Sequence, residues 1–124
     1  MNRLAVLLVF ALLLARCRQS AQTATAEIGI DLRAETLTIG ETTLHITLAD
    51  ASGQPISAQK IGVRGDMTHA GMQPVLAEIT SGENGVYDVP FEWTMSGDWI
   101  VTVKATMTDG AVAEKRFDLS VTDG

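Results

Sequence analysis

Short runs in which apolar and polar residues alternate fill this chain beyond residue 27. In an extended strand successive side chains point to opposite faces, so each run has one apolar face and one polar face. The runs recur about every 8–12 residues and are separated by turn-forming Gly, Asn, Asp and Ser. One-faced strands must bury their apolar side against a second layer, and the pattern predicts an all-β fold, an Ig-like two-sheet antiparallel β-sandwich of about seven or eight strands. The runs are Ile28–Leu32, Leu44–Leu48, Ile61–Val63, Val75–Ile79, Tyr87–Phe91, Trp99–Met107 and Phe117–Val121.

The first 26 residues have a different character. A short basic start is followed by an unbroken apolar run from Leu4 to Ala15. That run suits the core of a signal peptide and is too short to cross about 30 Å of hydrocarbon. We expect residues 1–26 to form a signal peptide or lipoprotein leader with a polar tether, and residues 27–124 to form one exported domain. The expected location is the periplasm or the outer face of the cytoplasmic membrane.

Two ways of processing this leader stay open. The sequence Leu14–Cys17 resembles a lipobox, in which Cys17 becomes lipidated and anchors the protein to the membrane. Arg16 departs from that pattern, which has a small residue before the cysteine. The alternative is cleavage after Ala26, where alanines flank Thr25 in a small-x-small arrangement. Cys17 is the only cysteine, so the chain cannot form an internal disulfide.

The charge of the chain argues against nucleic acid as a partner. The formal net charge is −6, and all 15 acidic residues lie beyond Arg16. A surface of this sign repels phosphate backbones and anionic lipid alike.

The segment Asp66–Pro74 is the strongest candidate for chemistry. Residues two apart in an extended chain share a face at about 6.5–7 Å, so Met67 and His69 can converge. Gly71 permits a tight bend that returns Met72 to the same place. Thioether sulfur and imidazole suit copper, and this donor set points to Cu(I). The alternative is that the methionines fill gaps in the core and His69 is a solvated loop residue.

Three further side chains have two readings each. Alternation places Met95 on the apolar side of its strand, as a core residue or as an additional sulfur ligand. His45 lies among outward residues and is expected to be exposed, with a role as a metal ligand as the alternative. Asp66 either orients the ring of His69 or is an ordinary surface carboxylate.

Catalysis has little support in the sequence. The two histidines are the only bases that titrate near neutrality, and no Gly-x-Ser-x-Gly elbow accompanies them. We therefore expect a protein that is not an enzyme.

The second half of the chain, from about Ile61 to Val121, resembles the YtkA-like domain, the family that also embraces FixH-type proteins. The resemblance is carried by the methionine-containing loop ahead of Pro74–Ala77, by Gly85–Val89, and by Met95–Trp99 with the strand that follows. It implies an exported, membrane-associated Ig-like domain linked with copper supply or with the assembly of haem-copper oxidases. FixH-type members have a true membrane helix, from which the short run at Leu4–Ala15 departs.

Two functions follow as expectations. In the first, the domain binds or delivers Cu(I), with Met67, His69, Met72 and Met95 as metal contacts and a membrane-bound oxidase or copper-handling protein as partner. In the second, it is a metal-free Ig-like interaction module of the cell envelope, which docks through an exposed strand edge or an apolar patch.

Overall fold

A computed structural model describes residues 28–124 of the protein. The predicted leader, Cys17 and both processing alternatives lie outside the described residues. Within this part of the chain there is no helix long and apolar enough to cross a membrane. Seven strands are present: β1 (Gly29–Ala34), β2 (Gly40–Ala49), β3 (Lys60–Met67), β4 (Val75–Ile79), β5 (Val86–Trp93), β6 (Gly97–Thr106) and β7 (Val112–Val121).

The strands form two antiparallel sheets, which confirms the predicted β-sandwich. One sheet has the order β1-β2-β5 and the other has the order β4-β3-β6-β7. Strands β2 and β3 are consecutive in the chain but lie in different sheets, as do β5 and β6. Each pairs with a strand from the other half of the chain, so the two halves cannot fold as separate units.

The core lies between the sheets and follows the alternation in the sequence. In β5 the burial pattern alternates at every residue from Val86 to Trp93. Ring centroids in an aromatic cluster lie 5.0 Å apart for Phe91 and Trp93, 5.3 Å for Trp93 and Trp99, and 6.5 Å for Phe91 and Trp99. All three pairs meet edge to face, the arrangement that aromatic quadrupoles favour. Met107, the last residue of the predicted Trp99–Met107 run, directly follows β6 and is buried.

The register of the strands defines two ends of the sandwich. At the first, which we call the Gly29 end, β1 begins opposite the last residue of β2, Ala49. At the second, which we call the Gly97 end, β2 begins opposite Trp93, β3 finishes opposite Trp99, and β7 finishes opposite Gly97. The described chain therefore enters the sandwich at the end opposite to Gly97.

The β2–β3 connection at the Gly29 end is fixed at two points by side-chain hydrogen bonds. The Tyr87 hydroxyl accepts from the backbone N–H of Ala58 at 2.7 Å and donates to its carbonyl at 3.1 Å, and both bonds are buried. In the β2–β3 connection, Asp50 Oδ1 accepts hydrogen bonds from the backbone N–H groups of Ser52 and Gln54. The turn that follows β2 is thus built around one carboxylate.

Candidate functional site

The Gly97 end carries the candidate ligands because three elements terminate there. Strand β3 ends at Met67, β4 begins after residues 68–74, and a three-residue turn joins β5 to β6. The backbone N–H of Thr68 donates to the carbonyl of Asp98 at 3.3 Å. This bond holds the start of the β3–β4 loop against the start of β6.

Met67 and His69 both approach Gly97. An ideal Cβ built on Gly97 would lie 3.1 Å from Met67 Cε and 3.9 Å from His69 Nε2. Apart from the chain neighbours of Gly97, these are the only heavy atoms of residues 28–124 within 4 Å of that point. The φ of Gly97 is +129°, a conformation that L side chains rarely adopt. Glycine is therefore favoured at this position both by the backbone conformation and by the closeness of Met67. The missing side chain leaves a cradle with a methionine and an imidazole at its border.

Met67 is a strand residue, whereas the sequence suggested a loop. It is the last residue of β3, pairs with Trp99 across the sheet, and is only 9% exposed. It therefore plugs the open end of the sandwich, as the core-packing interpretation of the methionines predicted. Its terminal methyl nevertheless reaches the border of the cradle, beside the ring of the exposed His69.

Met72 and Met95 lie at the same end but are turned to solvent. Met72 is 38% exposed and Met95 is 44% exposed. Gly71 has a φ of +84°, so the predicted bend before Met72 is present. Neither methionine is among the atoms nearest to the Gly97 cradle. The structure brings Met67 and His69 together and leaves the two exposed sulfurs at the rim.

The core interpretation of Met95 is wrong. Alternation through Phe91 and Trp93 predicted an inward side chain, but β5 ends at Trp93 and the period is broken in the turn. The backbone carbonyl of Met95 accepts a hydrogen bond of 3.0 Å from Trp99 Nε1. That bond closes the turn and leaves the side chain outside the core.

The two tryptophans attach the loops of this end to the core. Trp93 Nε1 donates to the carbonyl of Thr36 in the β1–β2 connection at 2.8 Å, just as Trp99 does to Met95. A buried indole N–H needs a partner, and here each partner is a loop carbonyl. The packed pair of rings thus links the β1–β2 connection to the β5–β6 turn, which joins the two sheets.

An apolar rim lies at the Gly97 end, and sequence reasoning missed half of it. Four large apolar side chains are exposed at the Gly97 end: Leu37, Ile39, Met72 and Met95. Leu37 and Ile39 lie between β1 and β2, where Ile39 N–H donates to Thr122 carbonyl and Thr122 N–H donates to Leu37 carbonyl. Apolar residues two apart in an otherwise polar connection were the available signal.

The remaining polar candidates lie away from the cradle. Asp66 Oδ2 accepts a 2.9 Å hydrogen bond from Arg64 Nε. That bond, followed by the charge of Asp66, raises the pKa of the Arg64 guanidinium. Asp66 therefore serves as a surface carboxylate. His45 points outward from β2, with its Nδ1–H donating to Asp88 Oδ1 at 2.5 Å on the neighbouring strand β5.

The donor atoms at the Gly97 end are thioether sulfur and imidazole nitrogen. Across residues 28–124 there is no group of three or more His, Cys, Asp or Glu side chains placed to hold a metal ion. Met67 and His69 at the cradle, with Met72 and Met95 on the rim, are the residues that could hold a soft ion. Of these, Met67 is the most enclosed, and its terminal methyl lies nearer to the Gly97 Cβ position than His69 Nε2 does.

Fold and site together define a class: a small Ig-like β-sandwich whose open end exposes sulfur and imidazole donors. A family model described as YtkA-like matches residues 21–104, more than half of the chain and all four candidate donors. The protein therefore belongs to the YtkA-like family. No curated protein matches the chain.

Proposed function

We propose that this domain binds Cu(I) as cargo at the Gly97 end and passes it to a membrane-bound oxidase or another copper-handling protein. The observation that carries the proposal is the approach of Met67 Cε and His69 Nε2 to the Gly97 cradle. A neutral thioether and an imidazole from adjacent segments are donors that Cu(I) accepts well.

The enclosure of Met67 favours retention of the bound Cu(I), and the exposure of Met72 and Met95 favours its exchange with a partner. Met67 is 9% exposed, whereas Met72 and Met95 are 38% and 44% exposed. An incoming partner can contact the rim sulfurs without opening the core. Membership of the YtkA-like family supports this reading, and the resemblance to FixH-type proteins makes a haem-copper oxidase the recipient that we propose.

Competition for Cu(I) tests the site. The purified protein is titrated in reductant against bicinchoninate, beside the single variants Met67→Leu, His69→Ala, Met72→Leu and Met95→Leu. Losing a ligand should weaken binding at least as much as losing the support of a ligand, which costs about 10-fold or more. We expect that loss for Met67→Leu and His69→Ala, and the two rim variants reveal which sulfur completes the site.

Met107→Leu is the matched control. Met107 is a buried methionine at the Gly29 end, 8% exposed, so its replacement removes a thioether without touching the cradle. Cu(I) affinity should be unchanged. The proposal fails if the triple variant Met67→Leu, His69→Ala, Met72→Leu binds Cu(I) as tightly as the parent.

A second candidate function, metal-free docking of an envelope protein, is favoured by the same apolar rim. Exposed apolar side chains gathered at one end suit a protein contact. The two functions separate in one measurement. Capture of a partner that survives a Cu(I) chelator and is lost in Leu37→Ser with Ile39→Ser supports docking without metal.

A further inference from the structure

Strand β4 has a free edge that takes no part in the proposed copper site. It pairs with β3 on one side only and so ends its sheet. Its sequence, Val75–Ile79, holds one charge, no lysine and no proline. Leu76 is 69% exposed, the most exposed large apolar side chain of residues 28–124. Edges of this kind are templates for an added strand, and proteins usually blunt them with charge, proline or a cover.

The other sheet edges show those protections. Strand β7 has charged residues at four of its ten positions, Glu114, Lys115, Arg116 and Asp118. In β5, Pro90 removes a backbone donor from the middle of the strand. Strand β1 places Asp31 and Arg33 outward. Strand β4 is the shortest of the described strands, at five residues, and it differs from the other edges in having a single charge and no proline.

Two clefts adjoin β4. A cleft of about 650 Å³ runs between β4 and β5, where the two sheets part, and a second of about 400 Å³ lies on the outer face of the four-stranded sheet. Leu76 and Ala77 line both. An extended segment laid along β4 would fill space on each side of the strand.

The charge of the first cleft indicates what such a segment carries. Its wall across from β4 holds Glu35, Glu41 and Glu92, and no lysine or arginine of the described chain lines it. Glu41 and Glu92 stand directly opposite each other in the β2–β5 register. Like charges in that position destabilise a sheet, so the free domain carries a repulsion that a cationic partner would relieve.

We propose that β4 accepts an extended segment of a partner protein in which basic and apolar residues alternate. Side chains of an added strand point alternately to its two faces. Those facing β5 meet the carboxylates of the cleft, and those on the other face lie beside Leu76. A second copy of this chain suits the cleft poorly, because the protein is itself acidic, with a net charge of −6.

A pair of model peptides tests the proposal. The capped heptapeptide Lys-Val-Lys-Val-Lys-Val-Lys and its Glu-Val counterpart are titrated into the isotope-labelled protein in the presence of a Cu(I) chelator. For the lysine peptide we expect saturable shifts of the backbone amides in Val75–Ile79, with slowed amide exchange there. For the glutamate peptide we expect neither. Saturable binding that leaves the β4 amides unshifted, or equal binding of both peptides, refutes the proposal.

Two sets of variants separate docking from general damage. Leu76→Lys places a charge on the edge and should weaken peptide binding about 10-fold or more, while Val112→Lys, at an exposed valine of β7, leaves it unchanged. The double variant Glu41→Gln with Glu92→Gln should weaken binding about 3- to 10-fold and yet raise the melting temperature of the free protein.

Three results would overturn the assignment. The first is an equal loss of binding in Leu76→Lys and Val112→Lys. The second is a double glutamine variant that melts lower than the parent, because the like-charge repulsion would then be absent. The third is a peptide-free dimer that Leu76→Lys dissociates, since the occupant of the edge would then be a second copy.

Discussion

Gly65 lies at the tightest point of the core, and replacing it by alanine tests how the aromatic cluster is packed. It sits in β3 two residues before Met67 and faces inward. A Cβ built there would lie 2.7 Å from Phe91 Cζ and 3.2 Å from Trp99 Cε3. Both neighbours are ring atoms of buried side chains, so neither can move away as a flexible chain end does.

The change in unfolding free energy caused by Gly65→Ala is the sum of two opposing effects. Forcing a methyl into a packed core costs about 1–3 kcal/mol. Alanine also restricts the unfolded chain relative to glycine, which returns about 0.4–1 kcal/mol. The expected net loss is about 1–2 kcal/mol of unfolding free energy, which lowers the melting temperature of a domain this size by roughly 4–15 °C.

Gly62→Ala is the matched control in the same strand. Gly62 faces outward, and the nearest atom to its Cβ position is the Lys104 carbonyl oxygen at 4.0 Å. Only the unfolded-state effect applies, so the melting temperature should stay level or rise by a few degrees. Thermal unfolding followed by far-UV circular dichroism measures both variants, and the near-UV signal reports the tryptophans. Gly65→Ala as stable as the parent, or Gly62→Ala as damaging as Gly65→Ala, would refute this view of the core.

Two further predictions concern the Gly29 end. Tyr87→Phe leaves the N–H and carbonyl of Ala58 without their buried partner, so urea unfolding should show a loss of about 1–3 kcal/mol, and a loss near zero contradicts the role of the hydroxyl. Hydrogen bonds, foremost from the Ser52 hydroxyl, lower the pKa of Asp50. A lowered carboxyl pKa stabilises the fold above the unfolded pKa and ceases to do so as pH falls through the folded value. The stability deficit of Asp50→Ala relative to the parent should therefore be constant from about pH 8 to 5 and shrink below about pH 4, whereas a deficit independent of pH contradicts it.

The sequence predicted the sandwich because period-two alternation reports burial directly. Each apolar run became a strand, and the deviations lie at strand ends. Strand β3 extends to Met67, although the alternating signal stops at Val63, because Gly65 contributes no side chain to the pattern. This inward-facing position is occupied by glycine because two aromatic rings fill the space that a side chain would need. A single sequence does not reveal that the rings lie so close.

The candidate site was predicted in its residue types and only partly in its arrangement. Spacing placed Met67 and His69 on one side of the chain, and both approach the Gly97 cradle. The floor of that cradle comes from β6, and no local pattern links Gly97 to a loop almost thirty residues earlier. Met95 was misassigned because alternation was continued through a turn that Trp99 closes.

The candidate donors lie at the end of the sandwich opposite to the Gly29 end, and this placement bears on where the proposed Cu(I) cargo would be transferred. The described chain begins at the Gly29 end, while Met67 and His69 lie at the other, separated by the ten-residue strands β2 and β6. Ten residues of β-strand span about 30 Å, close to the thickness of the hydrocarbon layer itself. If lipid on Cys17 anchors the protein, the first of the two processing alternatives, and the Gly29 end faces the membrane, the full height of the domain separates the donors from the bilayer. In that orientation, a recipient would contact the donors through a domain or loop that stands out from the bilayer.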